Sequence, residues 1–215
     1  MNNKIYIGVV GQIAVGKGKL VEYLIDKCGF TSFSLSSLLH KELQKRGIIN
    51  FTRKTLQDLG DELRKQYGDA VLAKRAIKML SVTDSVAGFP PVDAHFVARR
   101  REPFHPRHLS RVVIEGIRNP AEIELLKKIP HFVLIGVKAK RELRFKRLLE
   151  RAKPWDPKDW KTFLEVDRRD LGIGQKKSGQ QVGKCLAYCD YILTNNKDVC
   201  NFHMKVEKLI AKILI

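Results

Sequence analysis

One short segment near the start of the chain constrains the fold more than any other feature. The residues from Gly11 to Lys17 follow the pattern of a glycine, four residues, a glycine and a lysine. An apolar run, Ile5 to Val10, precedes them, and Lys17 to Cys28 follow with apolar residues at helical spacing. A glycine-rich turn between strand and helix can curl so that its N–H groups converge on an anion. The sequence therefore predicts a phosphate-binding loop.

The rest of the chain alternates short apolar runs with longer segments of helical periodicity. The further predicted strands are 31–35, 112–114, 132–137 and 191–194. The further predicted helices are 36–45, 52–67, 71–80, 120–128, 140–151, 157–171, 180–188 and 199–214. This alternation predicts a single α/β domain over residues 1–215, built on a five-stranded parallel sheet flanked by helices.

Composition is typical of a globular protein, because 44% of the 215 residues are hydrophobic and 30% are charged. No apolar run reaches the roughly 20 residues of a membrane span. Met1 to Lys4 include no apolar signal region. The four cysteines form no Cys-x-x-Cys pair, so we expect reduced, structural thiols. These features predict a cytoplasmic protein with no membrane partner, and they leave the oligomeric state open.

The formal net charge of +18 is unusually high, and it favours a polyanionic partner. Residues 81–110 contain five glycine or proline breaks and the run Arg99-Arg100-Arg101. We interpret them as a long, basic, mobile insertion. Nucleic acid is one partner that this insertion could bind, and a merely solvated basic loop is the alternative.

The residue after Lys17 departs from the usual phosphate-loop pattern. A serine or threonine commonly follows the lysine and contacts Mg²⁺, but Gly18 stands there in this chain. Magnesium would then keep more water, or would rely on Glu115 and on a hydroxyl from Ser36 or Ser37.

With this loop, the sequence resembles the P-loop nucleoside monophosphate kinases. It is most similar to the nucleotide-kinase-like domains that occur alone or joined to deoxycytidylate deaminases, and dephospho-coenzyme A kinase is a near neighbour. The resemblance covers most of the chain outside 81–110. Further matching segments are Phe33 to His40, Thr52 to Arg64, Glu115 to Pro120, Arg168 to Asp170 and Gly179 to Gln181. The resemblance implies a P-loop NTPase fold with a lid at about 152–180.

The resemblance also implies ATP and Mg²⁺ as cofactors and a nucleotide monophosphate as phosphoryl acceptor. The implied ATP-binding residues are Gly11, Gln12, Ile13, Ala14, Val15, Gly16, Lys17, Gly18, Lys19 and, near the nucleobase, Asn195. The implied acceptor-binding residues are Ser36, Ser37, Arg53, Arg64 and Arg118. The implied catalytic residues are Lys17, Glu115, Arg118, Arg168 and Arg169, with Glu115 also holding the metal. Arginine suits these roles because its fork binds phosphate by two parallel hydrogen bonds.

Several positions leave alternatives open. Each arginine assigned a role above could instead belong to a solvated helix face. A solvated face is our interpretation of two further arginines, Arg144 and Arg147. Ser37 and His40 stand where related kinases often have Asp and Arg. The chain could therefore be a nucleotide kinase or a relative of dephospho-coenzyme A kinase. It could also be a non-catalytic nucleotide-binding module that acts on a deaminase or RNA.

Overall fold

A computed structural model describes residues 4–82 and 111–214, and it centres on a five-stranded, fully parallel sheet. The strands lie in the order β2-β3-β1-β4-β5. Their bounds are Ile5–Val10 (β1), Thr31–Ser34 (β2), Arg111–Glu115 (β3), Phe132–Lys138 (β4) and Tyr191–Thr194 (β5). All strands run the same way, so their carboxyl ends lie along a single edge, where ligands of open α/β sheets bind.

Helices connect successive strands. Their bounds are Lys17–Cys28 (α1), Leu35–Lys45 (α2), Arg53–Tyr67 (α3), Val71–Val82 (α4), Pro120–Leu126 (α5), Arg141–Arg151 (α6), Trp160–Leu171 (α7), Val182–Cys185 (α8) and Val199–Ile213 (α9). A short 3₁₀ turn, Leu186–Tyr188, follows α8.

Apolar side chains are buried on both faces of the sheet, as helices on both sides require. Along β3, Val112 and Ile114 pack into a cluster with residues of α2 to α5 and α8, whereas Val113 packs with α1 and α9. This alternation follows from the period of two along a strand. Burying each such aliphatic side chain contributes about 1.5–3 kcal/mol, so the two layers supply most of the stability that positions the sheet edge.

Helix boundaries confirm some sequence predictions and correct others. Thr52 is the N-cap of α3, as predicted, and its side chain accepts a hydrogen bond from the Thr55 N–H. The predicted start of a helix at 157 was wrong, because Asp159 caps α7 by accepting from the Thr162 N–H. The predicted helix 180–188 is instead the short α8 and a 3₁₀ turn. The Gln181 N–H is bonded to the Arg118 carbonyl at 2.7 Å, which ties this backbone to the end of β3.

The predicted insertion, 81–110, falls almost wholly outside the described residues, so its mobility and basic partner stay predictions. Among residues 4–82 and 111–214, no helix combines the length and the apolar composition needed to cross a membrane.

Candidate functional site

A cleft of about 870 Å³ opens at the carboxyl edge of the sheet, next to the loop between β1 and α1. Seven of its lining side chains are basic and four are acidic. The basic set is Lys17, Lys19, Arg53, Arg118, Arg147, Arg151 and Lys153, and the acidic set is Glu22, Asp26, Glu115 and Glu150. This excess of positive charge favours an anionic ligand.

The loop from Gly11 to Gly16 wraps rather than extends. Ala14 has φ 59° and Gly16 has φ 102°, both in the left-handed region. The Gly16 carbonyl accepts from the Lys19 and Leu20 N–H groups, which starts α1. Within the part of the chain that the structure describes, the Lys17 and Gly18 N–H groups have no hydrogen-bond partner. The open N-terminus of α1 can therefore donate to an anion in the cleft.

Lys17 reaches back across this loop. Its Nζ donates to the carbonyl oxygens of Gly11 at 2.6 Å and Gln12 at 2.9 Å. Burial lowers the pKa of Lys17 to about 7, and the neighbouring Arg118 charge adds to this effect, while Asp170 and Glu115 oppose it. An anion bound beside Lys17 would reverse the shift, because negative charge favours the protonated amine.

Glu115 ends β3 at the floor of the cleft. Burial raises the pKa of its carboxyl group, while the nearby Lys17, Lys153 and Arg118 charges and the Ser34 hydroxyl act in the opposite direction. Ser36 also lines the cleft. By contrast, the Ser37 hydroxyl donates to the Ser34 carbonyl at 2.7 Å, so it is committed to the start of its own helix.

The side chains that line the cleft could supply Mg²⁺ with only a few protein ligands. No group of three or more His, Cys, Asp or Glu side chains converges to hold a metal among residues 4–82 and 111–214. Glu115 is one of four carboxylates that line the cleft, and Ser36, whose hydroxyl is hydrogen-bonded to that of Ser34 at 2.9 Å, lines it as well. Mg²⁺ commonly binds through one or two carboxylates together with substrate phosphates and water, so Glu115 satisfies the minimum requirement.

Two arginines pair with the buried carboxylate of Asp156. Asp156 accepts from Arg53 Nη2 at 2.8 Å and from Arg151 Nε at 2.6 Å. Arg118 and Lys153 line the same cleft. Arg53 Nε is buried and has no hydrogen-bond partner in the described structure. This unsatisfied donor leaves one more group that an anionic ligand can engage.

The lid role of Arg168 and Arg169 stays a prediction, and the structure places neither of them among the residues that line the cleft. Arg168 is exposed, and Arg169 donates to Asp58 at 2.6 Å and to Asp61 at 2.7 Å on α3. Helix α7 reaches the loop through its acidic residues instead. Asp167 accepts from Gln12 Nε2 at 2.9 Å, and Asp170 accepts from the Ile13 N–H at 3.1 Å.

Arg64 also departs from its predicted role at the acceptor site. Its guanidinium is 1% exposed and pairs with the fully buried Glu122 at 2.9 Å. Glu122 in turn accepts from the backbone N–H groups of Arg118 and Asn119. Arg64 therefore supports the segment that carries Arg118 and is not free to bind a ligand.

The solvated face predicted for Arg144 and Arg147 of α6 is wrong for both arginines. Arg144 is buried, donates to Asp167 at 2.9 Å and also bonds the Ile13 carbonyl. Arg147 lines the cleft and donates to the Asn195 carbonyl at 3.0 Å. Asn195, placed by the resemblance near a nucleobase, donates from Nδ2 to the Val15 carbonyl at 2.9 Å, so it also braces the loop.

Sequence reasoning missed several charged residues at the site, namely Arg151, Lys153, Asp156, Asp167 and Asp170. One signal was available for the last two. Asp167 and Asp170 are three residues apart and share a helix face with the apolar Phe163 and Val166. Acidic residues on an apolar stripe indicate buried partners.

Structural comparison defines the class of fold. Shikimate kinase from Acinetobacter baumannii, in complex with shikimate, superposes with a TM-score of 0.52 at 15% identity, covering 99% of this chain and 94% of that one. Shikimate kinase from Bacteroides thetaiotaomicron gives a TM-score of 0.50 at 12% identity, covering 98% and 99%. Together with the sheet order and the wrapped loop, this similarity shows that the chain has the α/β P-loop NTPase fold.

Sequence comparison identifies relatives of nearly the same length. The UPF0200 protein of Pyrococcus horikoshii is 27% identical over 209 residues, covering 96% of each chain. The UPF0200 protein of Thermococcus sibiricus is 28% identical over 210 residues, covering 96% of this chain and 94% of the relative. The name of these relatives states no reaction. No protein-family model matches the chain.

Proposed function

We propose that this chain binds a nucleoside triphosphate in the loop from Gly11 to Lys17 and transfers its terminal phosphoryl group to a nucleoside or deoxynucleoside monophosphate. One observation carries the proposal. A half-buried lysine beside the open N-terminus of α1 shares a cleft with six further basic side chains, one of which, Arg53, has an unsatisfied donor. Phosphoryl transfer asks a protein mainly to position two phosphates and to neutralise their charge.

The donor side of the cleft is suited to a polyphosphate tail. The N–H groups of Lys17 and Gly18 are open, and the positive end of the α1 dipole lies beside them. Lys17 Nζ would exchange its bonds to the Gly11 and Gln12 carbonyls for phosphate oxygens. Asn195 holds the loop by its bond to the Val15 carbonyl, so little rearrangement accompanies binding.

The acceptor side is suited to a phosphate group rather than a neutral one. Asp156 neutralises part of the Arg53 and Arg151 charge, Asp170 pairs with Arg118, and Lys153 is a further cation in the cleft. Arg53 Nε would gain its missing partner from a phosphate oxygen. Charge-assisted, bidentate contacts of this kind are stronger than neutral hydrogen bonds.

When bound, magnesium would neutralise charge on the donor phosphates and align them. Glu115 is the carboxylate that would hold it, directly or through water, and Ser36 lines the same cleft.

A coupled assay of ATP consumption tests the proposal. Purified protein would be supplied with ATP, Mg²⁺ and each member of a panel of nucleoside and deoxynucleoside monophosphates and dephospho-coenzyme A. We expect turnover on a monophosphate that Lys17→Ala abolishes and that Arg53→Ala reduces chiefly through a higher KM for the acceptor. Lys65→Ala, an exposed change on the same helix as Arg53, should leave the rate unchanged. If dephospho-coenzyme A were the one substrate turned over, the proposed acceptor group would be a hydroxyl and not a monophosphate.

A non-catalytic nucleotide-binding module is the second candidate. Gly18 removes the hydroxyl that commonly contacts Mg²⁺, and the Ser37 hydroxyl is bonded to its own helix rather than offered to the cleft. Tight ATP binding with no turnover on any acceptor would favour this candidate. Its partner would then be sought among deaminases and RNA. An RNA partner predicts affinity that falls steeply with added salt.

A further inference from the structure

Asp170 contacts both sides of the cleft. Its side chain is 2% exposed. Oδ2 accepts from the Ile13 backbone N–H at 3.1 Å, within the phosphate loop, and Oδ1 accepts from Arg118 Nη1. One buried carboxylate thus bonds the loop of the donor side and an arginine of the acceptor side.

Each of these two hydrogen bonds fixes the orientation of its donor group. A hydrogen bond to a buried carboxylate is stronger than a neutral one and fixes its donor. The bond to Ile13 fixes the orientation of the loop backbone, and the bond to Arg118 fixes the guanidinium at the cleft. Asp167, one turn earlier on α7, holds the neighbouring Gln12 and the buried Arg144, so the helix itself is anchored to the loop.

We infer that Asp170 is a positioning residue that ties the phosphate loop to Arg118 and so fixes the spacing between donor and acceptor phosphates. The inference rests on the proposed function of this cleft. In phosphoryl transfer this spacing matters, because small misplacements of the reacting groups cost rate steeply.

Two substitutions at Asp170 distinguish the contribution of its bond to Ile13 from that of its bond to Arg118. Asp170→Asn keeps a carbonyl oxygen that can accept from the Ile13 N–H, but it loses the charge that holds Arg118. Asp170→Ala loses both bonds. Glu165→Gln is the matched control, because it removes one negative charge from an exposed position of the same helix. Thermal unfolding of each variant reports whether it is folded. If Asp170→Ala does not fold, Asp170→Asn still tests the bond to Arg118.

The first readout is amide hydrogen exchange at Ile13 in the ligand-free protein. We expect exchange about tenfold faster or more in Asp170→Ala, and near the wild-type rate in Asp170→Asn and in Glu165→Gln. Equal rates in the wild type and Asp170→Ala would overturn the inference.

The second readout is kcat/KM for the acceptor monophosphate in a double-mutant cycle with Arg118→Gln. We expect Asp170→Asn and Arg118→Gln to be non-additive by a factor of about five, which a purely structural role for Asp170 would not produce. Additive effects would overturn the link to Arg118. A wild-type protein that binds no ATP would remove the proposed function, and the exchange rates at Ile13 would still decide whether Asp170 fixes the loop.

Discussion

At the scale of single residues, the phosphate loop depends on backbone conformations that most side chains resist. Gly16 has φ 102°, and a Cβ built there would lie 2.2 Å from Asn195 Nδ2, the atom that braces the Val15 carbonyl. By contrast, a Cβ built at Gly18 would have no atom within 4 Å. The loop therefore requires glycine at 16 for a reason that does not apply at 18.

We predict that Gly16→Ala lowers the free energy of unfolding by about 1–3 kcal/mol, because it combines left-handed strain with a steric clash. Gly18→Ala should raise it by up to about 1 kcal/mol, since alanine is the better helix former. Urea unfolding followed by circular dichroism measures both. Equal stability of the two variants would mean that the loop is not wrapped as described.

The buried amine of Lys17 makes nucleotide binding depend on pH. Its pKa of about 7 means that it is mostly neutral at about pH 8 in the free protein. Bound phosphates favour the protonated form, so binding at that pH takes up a proton and ATP affinity falls as pH rises above about 7.

Calorimetry in buffers of different ionisation enthalpy measures this uptake. We expect close to one proton per ATP at about pH 8 in the wild type and none from this group in Lys17→Met. Proton release, or affinity that rises with pH, would contradict the assignment.

At the scale of secondary-structure elements, a buried ion pair joins α3 to α5. Arg64 and Glu122 are almost fully buried, and Glu122 also accepts the N–H groups of Arg118 and Asn119 at the start of α5. Breaking such a pair leaves an uncompensated charge in the interior. The pair thus stabilises the segment between β3 and α5, on which Arg118 lies.

We predict that Arg64→Ala destabilises the protein by about 3–5 kcal/mol, because Glu122 is left buried without its cation. Lys65→Ala, next to it on the exposed face of α3, should change stability by less than about 0.5 kcal/mol. Chemical denaturation of the two variants tests this directly. A small effect of Arg64→Ala would indicate that its guanidinium is free, as the sequence prediction required.

The elements themselves were largely predictable from the sequence. The five strands, the loop at Gly11 to Lys17 and the cap at Thr52 depend on neighbours within a few residues, so local periodicity and turn chemistry suffice. The ion pairs were not predictable. Arg64 and Arg144 occupy helix faces that look solvated in sequence, and their partners, Glu122 and Asp167, lie 58 and 23 residues away.

At the scale of the whole molecule, parallel strands bring residues from distant parts of the chain to one edge. Lys17 and Asn195 follow β1 and β5, Glu115 ends β3, and each lines the cleft. The carboxylates that arrange the cations, Asp156 and Asp170, come from the region predicted as a lid. Part of the net charge of +18 therefore lies in this cleft, which seven basic and four acidic side chains line.

Calorimetric titration of the wild-type protein with ATP, in the presence and absence of Mg²⁺, measures nucleotide binding at the loop from Gly11 to Lys17 without reference to the acceptor. We predict saturable binding of one ATP per chain, tightened by Mg²⁺, and a loss of affinity of about 100-fold for Lys17→Ala, as removal of a charge contact in the cleft implies. Absence of binding heat in the wild type at several temperatures, or equal affinity in wild type and Lys17→Ala, would contradict this prediction.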